Sequence, residues 1–342
     1  MTESDSKYDL AVVMPTLNEK QHIGRVLDQI YHQDFPMERL EVVVADGGST
    51  DGTRAAAEQF RNRFGSLKVL DNPGYGPGSG RNVGIKNSTA RYVAILDGHI
   101  HIPSRMMLRD IVELFESTGA GCLCRPQPLT VPGINEFETA VALCRGSVLG
   151  HRPWSEIYST SEGEVDPTSS GAIYERSVFE EIGYFDEDFD ACEDVDFNYR
   201  LHKAGIKSYL SQRLMTYYYP RASIGALWQQ MVRYGRGRAR FAAKHSLISP
   251  WQWLAAIGVL GFVLMLLLSL LAAPVVAAFR TVCALYLLLV VTFSLFLALK
   301  EKQPVCLLYG PLILPTIHFG LGVGILLGWY ENLFGRGPTH RL

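Results

Sequence analysis

The last third of the chain restricts its fold most severely. From Trp251 to about Leu271, from Thr281 to Leu299 and from Val305 to Trp329 the residues are almost continuously apolar. Arg280, Lys300-Glu301-Lys302 and a few polar positions interrupt them. The first two stretches are each long enough to cross roughly 30 Å of hydrocarbon as a helix. The third holds Pro311, Pro315 and several glycines, which leaves open a broken or re-entrant path. Arg233, Arg236, Arg238, Arg240 and Lys244 precede the first stretch, and such clusters mark the cytosolic flank of a span. Lys300 and Lys302 would return to that same side. The expected organisation is a cytosolic catalytic domain over 1–222, a basic interfacial amphipathic segment over 223–249, and a multi-pass plasma-membrane domain over 250–334. Apolar helices of a soluble core are the competing reading, disfavoured by length and by the lack of charge.

The 342 residues carry a net charge of −2, which averages two unlike parts and says little about partners; no nucleic-acid partner is expected. Met1 to Asp9 are polar and acidic, with no basic-then-apolar leader, so a cytosolic N-terminal part is expected. The six cysteines fit reduced thiols there, and Cys122-x-Cys124 is too closely spaced for the usual zinc pair.

Before Ser249 apolar strands alternate with helical patterns. Leu10 to Met14 is a continuous apolar run stopped by Pro15, as in a buried parallel strand. Ile23, Val26, Leu27 and Ile30 follow with helical spacing. Leu40 to Ala45 ends at Asp46 and the turn Gly47-Gly48-Ser49-Thr50-Asp51-Gly52. Leu67 to Leu70 forms a third strand, Gly74 to Gly80 a glycine-rich loop, and Tyr92 to Leu96 the strand carrying Asp97. This alternation predicts an α/β fold with a mostly parallel sheet and right-handed crossovers. Ligands of such sheets bind beyond the carboxyl ends of the strands, where every one of these motifs falls.

Asp97-Gly98-His99 places a carboxylate and an imidazole two residues apart, and residues at i and i+2 share a side of a strand. An oxygen and a nitrogen so held suit Mn²⁺ or Mg²⁺. Acceptors on two adjacent strand tips suit a base and a ribose, and a metal at a further tip would neutralise a diphosphate. A nucleoside diphosphate with a divalent cation is therefore the ligand these residues suggest. Neither a P-loop nor a dinucleotide fingerprint is present: no Gly-Lys-Ser/Thr follows the glycine-rich loop, and the first strand leads into Pro15-Thr16-Leu17-Asn18-Glu19.

Together with Asp46 to Thr53, Gly80-Arg81-Asn82-Val83-Gly84, Leu96 to His99, Gly183 to Glu187 and Cys192-Glu193-Asp194-Val195-Asp196, this set resembles the family 2 glycosyltransferases of GT-A (Rossmann-like) fold, over about Tyr8 to Arg240. The Asp-x-His, Pro220-Arg221 and Gln230 to Gly235 are similar to the succinoglycan-biosynthesis (ExoA-like) glucosyltransferase branch. The resemblance implies that Pro15, Thr16, Asn18, Glu19, Asp46 and Ser49 contact the uridine, with Arg81 near the base or phosphates. It implies that Asp97 and Gly98 hold the diphosphate, and that Asp97 and His99 hold its Mn²⁺ or Mg²⁺. Most relatives carry a second Asp where His99 stands, so metal binding should weaken below about pH 6 as the imidazole protonates.

The resemblance also makes Asp194 the general base, beside Glu193 in the acceptor pocket. One displacement on an α-linked UDP-sugar, with Asp194 taking the acceptor's hydroxyl proton, would give an inverted β-linkage. Asp196, the rival base, should face elsewhere on the helix. Read without the family, Glu193-Asp194 is a helix N-cap. Ser170 and Gly171 would line the sugar and acceptor pocket, in a stretch the sequence alone reads as an ordinary turn. Gln230-x-x-Arg233-Tyr234 resembles the Gln-x-x-Arg-Trp motif of membrane polysaccharide synthases, beside the acceptor and departing diphosphate; a purely membrane-flanking role is its alternative. The expected activity is an inverting transfer of a sugar, glucose in the leading reading, from a UDP-sugar to a polyprenyl- or other lipid-linked acceptor. A polyprenyl-phosphate sugar synthase and a catalytically silent nucleotide-sugar-binding membrane protein are the alternatives.

Overall fold

The structure is a computed structural model that describes residues 7–151, 155–247, 250–271 and 273–335, and of 251 and 252 the backbone alone. It divides into two compact units, one over 1–131 and 154–219, the other over 132–153 and 220–342.

The first unit is built on β1 (Leu10–Thr16), β2 (Leu40–Asp46), β3 (Ser66–Asp71) and β4 (Tyr92–Ile95), which lie in the order β3-β2-β1-β4 and pair in parallel. Leu10 opposes Leu40 and Thr16 opposes Asp46, which opposes Asp71, so the register brings these strand tips side by side. The sheet continues as a mixed one through β6 (Cys122–Cys124), β7 (Gly163–Glu164), β8 (Gly171–Glu175) and β9 (Ser208–Leu210), with β8 antiparallel to β4. A separate ribbon pairs β5 (Ile100–His101) with β10 (Tyr217–Tyr218). The mostly parallel sheet expected from the alternating pattern is present.

Strand alternation divides the core in two. Leu10, Val12 and Met14 of β1 join one buried cluster with Ile23, Val26, Leu27 and Ile30 of α1 (Lys20–Tyr31) and the inner face of α4 (Met107–Thr118). Val13 points the other way, toward Ile85 of α3 (Pro77–Lys86), Val178 and Phe179 of α6 (Arg176–Ile182), and Phe197 and Leu201 of α7 (Glu193–Lys203). The short α2 (Thr53–Glu58) follows the β2 turn. Glycine lets α3 lie directly on the sheet: a β-carbon at Gly84 would come within 2.2 Å of Val13 Cγ1, and one at Gly80 within 2.9 Å of Pro15 Cβ.

The second unit comprises α5 (Glu136–Gly146), α8 (Ile224–His245), α9 (Pro250–Ser269), α10 (Ala273–Lys300) and α11 (Val305–Phe334). α11 runs unbroken through Pro311 and Pro315, so the broken path left open by those prolines is not taken. α10 starts before the expected Thr281 and includes Arg280. α10 and α11 are long and apolar enough to cross a membrane, whereas the apolar part of α9, Trp253–Ser269, is shorter. A glycine stripe on α11 meets α8: a β-carbon at Gly324 would fall 2.2 Å from Val232 O, and one at Gly328 2.7 Å from Ala239 Cβ. Small residues four apart permit this close approach of helix backbones.

Candidate functional site

Two turns at the carboxyl edge of the sheet are hydrogen-bonded into one lattice. Asn18, in the left-handed region at φ 56°, donates its N–H to Ser49 Oγ (2.8 Å) and accepts at Oδ1 from Thr50 N–H (3.0 Å). The N–H of Glu19 donates to Thr53 Oγ1 (2.7 Å) and that of Lys20 to Asp51 Oδ2 (3.0 Å). Asp46, buried at the β2 tip, accepts from Ser49 Oγ (2.5 Å) and Ser49 N–H (3.1 Å). Thr16 is buried with its hydroxyl unpaired, and Pro15 sits beneath Gly80. Of the residues expected to contact the base, Asn18, Asp46 and Ser49 thus hold one another, and two strand-tip turns become one surface.

β4 ends at Ile95, so Asp97-Gly98-His99 lies in the turn toward β5 rather than on the strand. Strand alternation therefore does not aim these side chains, and what aims His99 is Glu19. Its Nδ1 lies 2.7 Å from Glu19 Oε1, the Gly98 position is packed against the Glu19 side chain, and the Tyr218 ring meets the imidazole edge-on at 4.6 Å. Nε2 of His99 is buried and, among the described residues, has no hydrogen-bond partner. Asp97 is half-buried and, among the described residues, spends no hydrogen bond on the protein. A metal-ligating histidine donates its other ring N–H to a carboxylate in this way. No three His, Cys, Asp or Glu side chains gather at metal-binding range among the described residues. The donor set fits a divalent cation held by one or two protein groups and completed by substrate phosphate oxygens and water.

α7 brings the second carboxylate group. Cys192 is its N-cap in the left-handed region at φ 67° and gives no side-chain cap, so Glu193 and Asp194 are the first helical residues and not caps themselves. Their place in the first turn favours negative charge. Asp196 is fully buried and paired with Arg200 (3.1 Å), facing away as helical spacing required. Arg81 does not reach outward from α3: its Nη1 sits 2.6 Å from Glu193 Oε1, off the donor direction, with the guanidinium 5.1 Å from the Phe185 ring centre. Nε and Nη1 of Arg81 keep unused donor capacity in the interior. Burial alone would favour loss of its proton, but Glu193, Asp194 and Asp97 together raise its pKa. Burial pushes the Glu193 carboxyl up to about 7; Arg81 pulls it down, while Asp194 and Asp97 add to the rise. One electrostatic cluster therefore joins the β4 turn to the start of α7. Asp194 is half-buried, one of its oxygens accepting from Val195 N–H (2.8 Å).

Beside α7, Asp166 caps a short 3₁₀ turn over Pro167–Ser169. Ser170 follows with a buried, unpaired hydroxyl, and a β-carbon at Gly171 would strike Asn198 Oδ1 at 2.7 Å. Gln230, Arg233 and Tyr234 belong to the second unit, on α8.

Three residues to which the sequence reading gave no role frame the site. Arg125 is a wholly buried guanidinium that bonds Thr216 Oγ1 and donates to Ile95 O (3.3 Å), tying the end of β4 to the approach of β10. Burial lowers its pKa to about 10, against the opposing pull of Asp97. Tyr218 packs on His99. Asn82 binds the Phe185 backbone at both ends and Glu187 Oε1 (2.8 Å), which joins two of the sequence motifs as a structural stitch. An arginine directly after the apolar run Cys122-Leu123-Cys124 is the one signal that would have marked Arg125.

The profile named Glycosyl transferase family 2 matches residues 11–183, the span that supplies most of the sheet, Asp97 and His99. The chain belongs to that family. This family 2 glycosyltransferase is 29% identical over 306 residues to the succinoglycan biosynthesis protein ExoA of Rhizobium meliloti (strain 1021), covering 88% of each chain. It is 24% identical over 339 residues to the dolichyl N-acetyl-alpha-D-glucosaminyl phosphate 3-beta-D-2,3-diacetamido-2,3-dideoxy-beta-D-glucuronosyltransferase of Methanococcus voltae, covering 97% of this chain and 99% of that one. Among solved structures, the mannosyltransferase PcManGT of Pyrobaculum calidifontis, in complex with GDP-Man and Mn²⁺, shares the fold at TM-score 0.60 and 19% identity, over 97% of this chain and 89% of the other.

Proposed function

We propose that this glycosyltransferase moves a hexose, glucose in the first instance, from a UDP-sugar to a lipid-linked acceptor at the cytosolic face of a membrane, with inversion at the anomeric carbon. The observation that carries this reading is the joining of Asp97, Glu193, Asp194 and Arg81 into one field next to the fused turns of β1 and β2. Pro15, Thr16, Asn18, Glu19, Asp46 and Ser49 frame the nucleoside, with Glu19 acting through His99. Asp97 and His99 would hold Mn²⁺ or Mg²⁺, which offsets charge on the leaving diphosphate. Asp194, set by the first turn of α7, takes the acceptor's hydroxyl proton as that oxygen attacks C1. Arg81 keeps Glu193 from repelling the substrate phosphates. Ser170 and Gly171 line the sugar pocket, and Gln230, Arg233 and Tyr234 contribute to acceptor binding.

The match to ExoA and to a dolichyl-linked sugar transferase supports the polysaccharide or glycolipid setting, and α10 and α11 support anchoring. The test is a panel of UDP-sugars assayed for UDP release by the full chain in membranes, with and without extracted lipid-linked sugars. Lipid-dependent release from UDP-glucose with Mn²⁺ or Mg²⁺ is expected. No release from any UDP-sugar, with UDP still bound, would overturn it.

A further inference from the structure

α8 carries Gln230, Arg233 and Tyr234 at i, i+3 and i+4, which puts them on one face of the helix. That face meets a residue no motif marked, Arg145 at the end of α5. Its Nη1 donates to Gln230 Oε1 (2.9 Å), and its guanidinium lies 5.7 Å from the Tyr234 ring centre. Amide and ring together fix the plane of the guanidinium. Gln230 occupies Nη1, which leaves the Nε/Nη2 edge, the two parallel N–H groups that grip a phosphate or carboxylate bidentately. Nε on that edge is buried and, among the described residues, has no hydrogen-bond partner.

The charge is also unmatched. In sequence the carboxylates of the second unit are Glu136, Glu138, Glu301 and Glu331. Glu138 is tied to the Asn135 backbone in a capping box, and Glu301 and Glu331 pair with Lys300 and Arg236. Glu136, at the opposite end of α5, is about 13 Å away along the helix axis. A half-buried cation that is oriented by neutral groups but, among the described residues, paired with no anion invites one.

We infer that Arg145, held by Gln230 and Tyr234 and flanked by the exposed Arg233, forms a binding site for the phosphoryl group of a membrane lipid. The chemistry is that of a phosphate ester at a bilayer surface, supplied by a polyprenyl diphosphate or by an anionic phospholipid. The first source rests on the lipid-linked acceptor proposed above and deepens it.

The experiment uses the full chain in phosphatidylcholine nanodiscs, alone, with added polyprenyl diphosphate, or with added phosphatidylglycerol, with lipid association read by native mass spectrometry. Arg145→Lys keeps the charge and loses the fork. Gln230→Glu keeps the α5–α8 contact but fills it with an internal anion. Both are expected to lower retention of at least one phosphorylated lipid about tenfold, while Mn²⁺-dependent UDP binding by Arg145→Lys stays as in the wild type. Loss confined to polyprenyl diphosphate identifies the acceptor as the source. Loss confined to phosphatidylglycerol identifies the bulk headgroup. Wild-type retention of both lipids by both variants overturns the site, and transfer to a lipid-linked sugar by those variants would then leave the proposed function standing. Arg145-dependent retention without any lipid-linked transfer by the wild type would overturn the acceptor reading and leave the site.

Discussion

At the scale of single residues the chemistry rests on how few atoms are left uncommitted. Asp194 has one oxygen bound to its own helix and the other open, so Asp194→Asn should reduce transfer about 10³-fold while calorimetric UDP binding stays near normal. Glu19 orients the imidazole through Nδ1 and leaves Nε2 for the metal proposed there. Glu19→Gln should therefore weaken Mn²⁺ binding about 10- to 100-fold, read by the free-Mn²⁺ resonance signal in the presence of UDP. Glu193 supplies a pH test with a definite sign. Its carboxyl sits near 7 in the folded chain against an ordinary 4.5, so folding takes up a proton between those values and the folded state loses stability as pH rises from about 4.5 to 7. In Glu193→Gln that contribution to the melting temperature should vanish, and an unchanged pH slope would refute the protonation assigned to it. The residues themselves were legible in sequence where a motif named them. What Glu19 does was not, because a contact across 80 positions between two turns leaves no local pattern.

At the scale of elements, period and punctuation predicted much of what formed. The run Leu10 to Met14 became β1, and Ile23, Val26, Leu27 and Ile30 became the buried stripe of α1. Asp97 and His99 fell outside this logic, since β4 stops at Ile95 and the turn beyond obeys tertiary contacts. α11, for which two prolines left a broken path open, forms one continuous helix through both of them, its glycine face packed on α8. The Gly80-x-x-x-Gly84 spacing, read first as part of a nucleotide motif, is also what lets α3 touch β1. Gly84→Ala would press a methyl group into Val13, and a loss of about 1–3 kcal/mol is expected from denaturant unfolding with little change in KM for the donor.

At the scale of the whole molecule the chain joins an enzyme fold to a helical unit whose sequence is rich in Arg and Lys and poor in carboxylates. If α10 and α11 span a bilayer as proposed, the full chain should stay in the membrane pellet through high salt and alkaline carbonate and leave it in detergent; release by salt alone would make the association electrostatic. The lattice of Asn18, Glu19 and Lys20 with Ser49, Asp51 and Thr53 carries a consequence for anyone redesigning donor choice. Those two loops cannot be retuned independently, since each contributes half of every shared bond. Libraries that diversify one loop at a time will return mostly broken proteins, and useful new specificities should emerge from coordinated changes at both.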